Sequence, residues 1–306
     1  MFIYVTKLPF GLDINNIIGD LRILSWEAAD ILIYYSNLIR NPKEKAKIIQ
    51  NKTLEDPVTI ADLKVNEMIL NRLNKNYKNI GWDILSEENA KDESNNFAAK
   101  SDWCWVLDPL DGTKDFIQGT GNYAMHLALN FKQKPLIGVV LIPDKNQLWI
   151  SNGRESWCES RDGTYLKTNL SQNKRRIHDM TIVTSKNHRN QTLKKVIEKL
   201  NFKDQIVMGS VGCKIASILE GESNIYICLS LPDKSSPKDW DFAAPEAILK
   251  TAGGSITNLN NNELSYGGLN FDQGGIIVAT SDKFSHKSTC SEIMQIIRKF
   301  NLYPFD

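Results

Sequence analysis

The chain has 306 residues, beyond the size at which one hydrophobic core usually stops growing, so two domains or one large layered domain are expected. With 42% hydrophobic and 24% charged residues and a net charge of +1, it has the composition of an ordinary globular protein and no general surplus of positive charge to attract nucleic acid. It has no apolar run of about 18 residues that would cross a membrane, its opening lacks the basic and apolar regions of a signal peptide, and its five cysteines (Cys104, Cys158, Cys213, Cys228, Cys290) form no Cys-x-x-Cys pair. That usage argues against a disulfide framework or a zinc site and for a reducing cytoplasm. The four histidines are scattered, with no His-Glu-x-x-His cluster.

Apolar positions at helical spacing (Ile17, Ile18, Leu21, Leu24, Ala28, Ile31, Leu32) predict a long amphipathic helix over 13–40. "DPVTIAD" reads as an extended entry to a second helix over 60–73, with Leu63, Met68 and Ile69 inward. "GWDILSEEN" predicts a short strand ending in acids, before a polar loop over 90–102. Strands are expected at 103–107, 123–131, 136–142 and 147–150. The polar, basic stretch 161–180 reads as a crossing between two domains, 1–160 and 161–306, with an edge hairpin as an alternative. Beyond it strands (181–184, 205–208, 224–230, 275–280) alternate with helices (191–200, 213–220, 242–252, 288–300). The fold class is therefore an α+β half carrying most of the acids, followed by an α/β half.

Three acidic features stand at strand ends or beside a helix start, where α/β proteins place ligands: Glu87-Glu88 after "DIL", Asp108 and Asp111 after "WVL", and Asp241 just before a helix. Two carboxylates roughly 5 Å apart repel by about 3 kcal/mol at an effective dielectric near 20, so a cation or a retained proton is required. Pro109 fixes φ and removes a donor, which would turn the Leu110 carbonyl outward between the aspartates. Carboxylates plus one carbonyl, without His or Cys, suit a hard cation such as Mg²⁺, Mn²⁺ or Ca²⁺. Gly112 allows close backbone approach, and "GTKDF" could open a helical turn whose free N–H groups bind an anion. Metal carboxylates facing an amide-lined anion pocket describe a phosphate-hydrolysis site, with Asp62 and Thr113 as candidates to orient the attacking water. Singly, each feature has a plain structural explanation: Asp-x-x-Asp is most often a turn, and Asp241 could simply cap its helix. The signal is in the combination.

"DPVTIAD", "LSEE", "WVLDPLDGTKDFI" and "WDFAAPEAILKTAGG" resemble, in order and at matching spacing, the motifs of the magnesium-dependent, lithium-sensitive phosphatase superfamily that includes inositol monophosphatase and fructose-1,6-bisphosphatase. The resemblance covers roughly residues 15–285 and implies a layered α/β/α/β/α sandwich. It also implies two to three Mg²⁺ ions, a role Mn²⁺ could fill. The implied metal ligands are Glu87, Asp108, the Leu110 carbonyl, Asp111 and Asp241. Asp62 and Thr113 would activate water, and the backbone at Gly112 and Thr113 would hold phosphate. The acidic pattern alone gives no reason to choose Asp62 over Asp56.

"DGTKDF", "LSEEN" and "WDFAAPEAIL" are more similar to the 3'(2'),5'-bisphosphate nucleotidase branch than to the inositol enzymes. "TSKNH" and "MGSVGCK" resemble that branch's nucleotide contacts and would place Ser185, His188, Ser210 and Lys214 near the nucleotide and its second phosphate. Cys213 departs from that pattern, where a small or polar residue is expected, and Lys214 could equally be a surface lysine at a helix start. The resemblance implies Mg²⁺-dependent hydrolysis of the 3'-phosphate of 3'-phosphoadenosine 5'-phosphate, with the 5'-phosphosulfate as a second substrate. An inositol-phosphate or sugar-phosphate phosphatase is the alternative. The expected partner is a small phosphorylated nucleotide, not a nucleic acid or a membrane, and the sequence does not choose between monomer and homodimer.

Overall fold

The computed structural model describes residues 8–9, 11–51, 57–92, 100–168, 170, 174–186, 190–232 and 234–304. The chain opens with helix α1 (Ile14–Ile39), capped by the Asp13 carboxylate, which accepts from the N–H groups of Asn15 and Asn16. A short helix α2 (Pro42–Ile48) leads into strands β1 (Ile49–Asn51) and β2 (Pro57–Thr59), which pair antiparallel, and then into α3 (Ile60–Tyr77). Seven strands follow: β3 (Asp83–Ser86), β4 (Trp103–Asp111), β5 (Ala124–Phe131), β6 (Lys134–Ile142), β7 (Gln147–Ser151), β8 (Ser156–Glu159) and β9 (Tyr165–Thr168). They form one sheet in chain order, antiparallel throughout except for the parallel β3–β4 pair. Short helices α4 (Glu87–Asp92) and α5 (Thr113–Gln118) flank β4.

The second sheet has the order β11 (Asp204–Met208), β10 (Thr181–Ser185), β12 (Ile225–Leu229), β14 (Ile276–Thr280), β13 (Ser255–Asn258). Around it run α6 (Gln191–Leu200), α7 (Val211–Leu219), α8 (Asp239–Thr251) and α9 (Lys283–Lys299). Strand parity assigns the layers. Odd positions of β4 and β5 (Trp105, Leu107, Leu127, Leu129) join a core with α1 and α3. Even positions (Val106, Ala124, Ala128) join a second core with α7, α8 and the inner face of the second sheet, including Val183, Tyr226 and Ile277. The opposite face of that sheet (Ile182, Ile225, Val278) packs on α6 and α9. Three cores between five layers are the α/β/α/β/α sandwich. Each fully buried Leu or Ile in them contributes about 1.5–3 kcal/mol.

Several boundaries differ from those read in the sequence. α8 starts at Asp239, so Asp241 lies inside its first turn, not just before a helix; its carboxylate accepts the Lys238 N–H at 2.6 Å and closes the turn. α9 starts at Lys283 and not near 288, because Asp282 accepts the N–H groups of Phe284 and Ser285. The polar stretch from 90 begins as the end of α4. The short segments α2, β8 and β13 have too few residues for a period to emerge. β9 carries the seven-stranded sheet to Thr168, past position 160.

Candidate active site

The acidic centre is organised by a bulge in β4. Asp108 pairs with His126 and Asp111 with Ala124, so three steps along β4 match two along β5. On a regular strand Asp108 and Asp111 would face opposite sides of the sheet. The extra residue, next to Pro109, reverses that parity. Both aspartates then reach the middle layer, where Asp241 arrives from the first turn of α8. One oxygen from each of Asp108, Asp111 and Asp241 lies within 4.8 Å of the others. Leu110, between them, is buried; its N–H donates to Asp108 Oδ1 at 3.0 Å and its carbonyl accepts the Thr113 hydroxyl at 3.0 Å.

Glu87, the first residue of α4, shares a hydrogen bond with Asp108 but is not in that triad. Asp62 closes the first turn of α3: its Oδ2 accepts the Thr59 N–H at 2.8 Å and the Thr59 hydroxyl at 2.6 Å. Its other oxygen lies 3.4 Å from the Thr113 hydroxyl. Burial pushes the Asp62 carboxyl up to about 7, against the pull of the Thr59 hydrogen bonds and with a further push from the Glu87 charge. Asp108 and Asp241 are both held well above the usual carboxylate range, by burial first. The charges of Glu87, Asp111 and Asp241 then act on Asp108, and that of Asp111 on Asp241. Buried acids that raise one another in this way, with an all-oxygen donor set, fit a hard divalent ion.

Beside the acids, the chain reverses at Gly112 (φ +86°), where a Cβ would stand 2.9 Å from Asn122 O and 3.1 Å from Ser210 N. The absent side chain brings the Gly112-Thr113 backbone against the start of α7. Ser210 caps α7, its hydroxyl accepting the Cys213 N–H at 3.2 Å, and the next N–H, of Val211, donates to Asp111 Oδ2. Lys214 is no surface lysine: it is 3% exposed, donates to Ser210 O at 3.0 Å and stands 5.2 Å from the Tyr226 ring. Burial lowers its pKa, while the Asp111 charge holds it up. Ser185 ends β10, in register with Met208 of β11, beside the loop that leads to Ser210. His188 lies outside the described residues, as does Asp56. Cys213, out of pattern in the sequence, is fully buried with its Sγ 3.7 Å from Tyr123 O.

Two residues near the site were not singled out from the sequence. Lys186, next to Ser185, donates to Gln118 Oε1 at 2.5 Å and approaches Asp115 Oδ1 at 3.9 Å, which ties the end of β10 to α5. His126 is buried on β5 with Nε2 3.5 Å from Asp111 Oδ2. Its signal was visible, as the lone histidine in the apolar run "YAMHLAL".

The model of the inositol monophosphatase family matches residues 24–298. Over 212 residues the chain is 32% identical to the 3'(2'),5'-bisphosphate nucleotidase CysQ of Buchnera aphidicola, covering 69% of this chain and 74% of that protein. It is 27% identical over 220 residues to CysQ of Escherichia coli K12, covering 71% and 82% respectively. Among solved structures, the extragenic suppressor protein suhB of Bartonella henselae superposes with a TM-score of 0.71 at 20% identity, covering 93% of this chain and 99% of that one.

Proposed function

The chain belongs to the inositol monophosphatase family, and from that premise we propose that it is a Mg²⁺-dependent nucleotidase that removes the 3'-phosphate of 3'-phosphoadenosine 5'-phosphate, giving AMP and phosphate. The observation that carries the catalytic part is the convergence of Asp108, Asp111 and Asp241 on one point from both halves of the chain. The choice of substrate is supported by the similarity to CysQ proteins, whose name states that activity, and by the buried Lys214 ammonium beside Ser210. The 5'-phosphosulfate analogue offers the same 3'-phosphate and is a second substrate in this reading.

Asp108, Asp111, Asp241, Glu87 and the Leu110 carbonyl would hold the ions. When bound there, Mg²⁺ supplies Lewis acidity that lowers the pKa of water and neutralises charge on the leaving oxygen. Thr113 and Asp62 would orient the attacking water: the hydroxyl is shared between Leu110 O and Asp62 Oδ1, and the Asp62 carboxyl titrates close to neutrality, which suits a proton acceptor. Gly112 and Thr113 would present backbone to the phosphate. Ser185, Ser210, Lys214 and His188 would contact the nucleotide, with Lys214 offering a desolvated positive charge to an anionic group.

The test is phosphate release from 3'-phosphoadenosine 5'-phosphate and from inositol 1-phosphate, measured in parallel with Mg²⁺ and with chelator. A Mg²⁺-dependent preference for the nucleotide is expected. A preference for the inositol ester overturns the substrate assignment, and turnover that survives the chelator overturns the metal assignment.

A further inference from the structure

We propose that His126 is a positioning residue that holds Asp111 in register with the first turn of α8, and so sets the distance between two of the three converging carboxylates. The inference rests on the reading of those carboxylates as a metal site.

His126 sits on the even, middle-layer face of β5, directly across the ladder from Asp108. It is 0% exposed. Its two ring nitrogens face two different parts of the chain. Nε2 lies 3.5 Å from Asp111 Oδ2, just past the β4 bulge, and Nδ1 lies 3.4 Å from the carbonyl of Trp240, the residue before Asp241. Both oxygens can only accept, so the ring N–H lies on Nδ1 and donates to Trp240 O, while Nε2 meets Asp111 at contact distance without a hydrogen bond. The third side is closed by α7: a Cβ at Gly212 would run into the ring at Nε2 and into Val140 Cγ1 at 2.7 Å. The imidazole is therefore a spacer between a carboxylate from the first half of the chain and a helix start from the second. Both contacts are longer than an ideal N–H···O bond of about 2.9 Å, so packing supplies much of the constraint and one polar contact gives it direction.

Neighbours of metal carboxylates that fix their orientation typically change metal affinity by about 10- to 100-fold when removed. The Val211 N–H also reaches Asp111 Oδ2, but from α7 and not from α8.

The experiment is Mn²⁺ binding, followed by electron paramagnetic resonance, in wild type, His126→Ala, His126→Asn and His126→Gln, with cooperative unfolding checked in chelator. Gln can place its amide donor near the Nε2 position and Asn near the Nδ1 position. His126→Ala and His126→Gln are expected to weaken Mn²⁺ binding about 10- to 100-fold, and His126→Asn, which keeps the donor to Trp240 O, to remain within a few-fold of wild type. If Ala fails to fold, the Asn and Gln pair, which both refill part of the space, still decides. Wild-type affinity in His126→Gln, or Asn no tighter than Gln, overturns the proposal. A wild-type protein that binds no Mn²⁺ overturns the metal reading itself.

Discussion

Asp62 shows how a helix-capping residue can also be a titrating one. Its carboxylate closes the first turn of α3 through two hydrogen bonds from Thr59, an ordinary structural duty, yet its burial lifts it to about 7 from an ordinary 3.8. A carboxyl raised in the folded state contributes stability that is complete below the unfolded pKa near 3.8. That stability is lost as pH rises through the folded value near 7. Asp62→Asn keeps an acceptor for Thr59 and cannot ionise. In chelator, wild type should therefore lose stability relative to Asp62→Asn between about pH 4 and pH 7, by a few kcal/mol. Urea midpoints at pH 5 and pH 8 measure it, and parallel profiles for the two proteins would contradict the buried titration. Read by its acids alone, the sequence left Asp62 and Asp56 equivalent, although the Thr59-x-x-Asp62 spacing is a local capping-box signal that marks Asp62 as the one in the first helix turn.

At the scale of elements, the site depends on how closely α8 lies on the first sheet. Gly138 of β6 makes the approach: a Cβ there would stand 2.8 Å from Ala244 O and 2.9 Å from Ala247 Cβ. Gly138→Ala must push α8 outward, and α8 carries Asp241. It should cost about 1–3 kcal/mol in urea denaturation, as overpacking does, and weaken Mn²⁺ binding in the same protein. Unchanged metal affinity beside a clear stability loss would show that Asp241 is placed independently of the helix–sheet spacing. Long elements such as α1 and the strands of the first sheet were legible because their periods repeat several times. The starts of α8 and α9 were not, because side-chain caps at Asp241 and Asp282 extend each helix beyond its apolar pattern.

For the whole molecule, the carboxylate triad joins chain segments that no local interaction holds together. Asp108 and Asp111 come from β4 and Asp241 from a helix of the second half, with both sheets packed on the shared middle core. A cation bound there should stabilise the fold as a unit: at 100 times its Kd the gain is about 2.7 kcal/mol, which is several degrees in Tm. Mg²⁺ or Mn²⁺ should raise Tm over the chelated protein in a single transition. Asp111→Asn, which relieves repulsion in the chelated state, should abolish the shift with little loss of fold; an undiminished shift would remove Asp111 from the metal site. By itself the sequence determined the layered class, the long helices and strands, and the oxygen-only chemistry of the acids, because period, turn residues and donor type are local properties. The tertiary structure decided which acids converge, that Lys214 is buried against Ser210, and that His126 stands between Asp111 and α8. Those depend on a one-residue bulge that reverses strand parity and on the docking of the second half, and neither leaves a periodic trace in the chain.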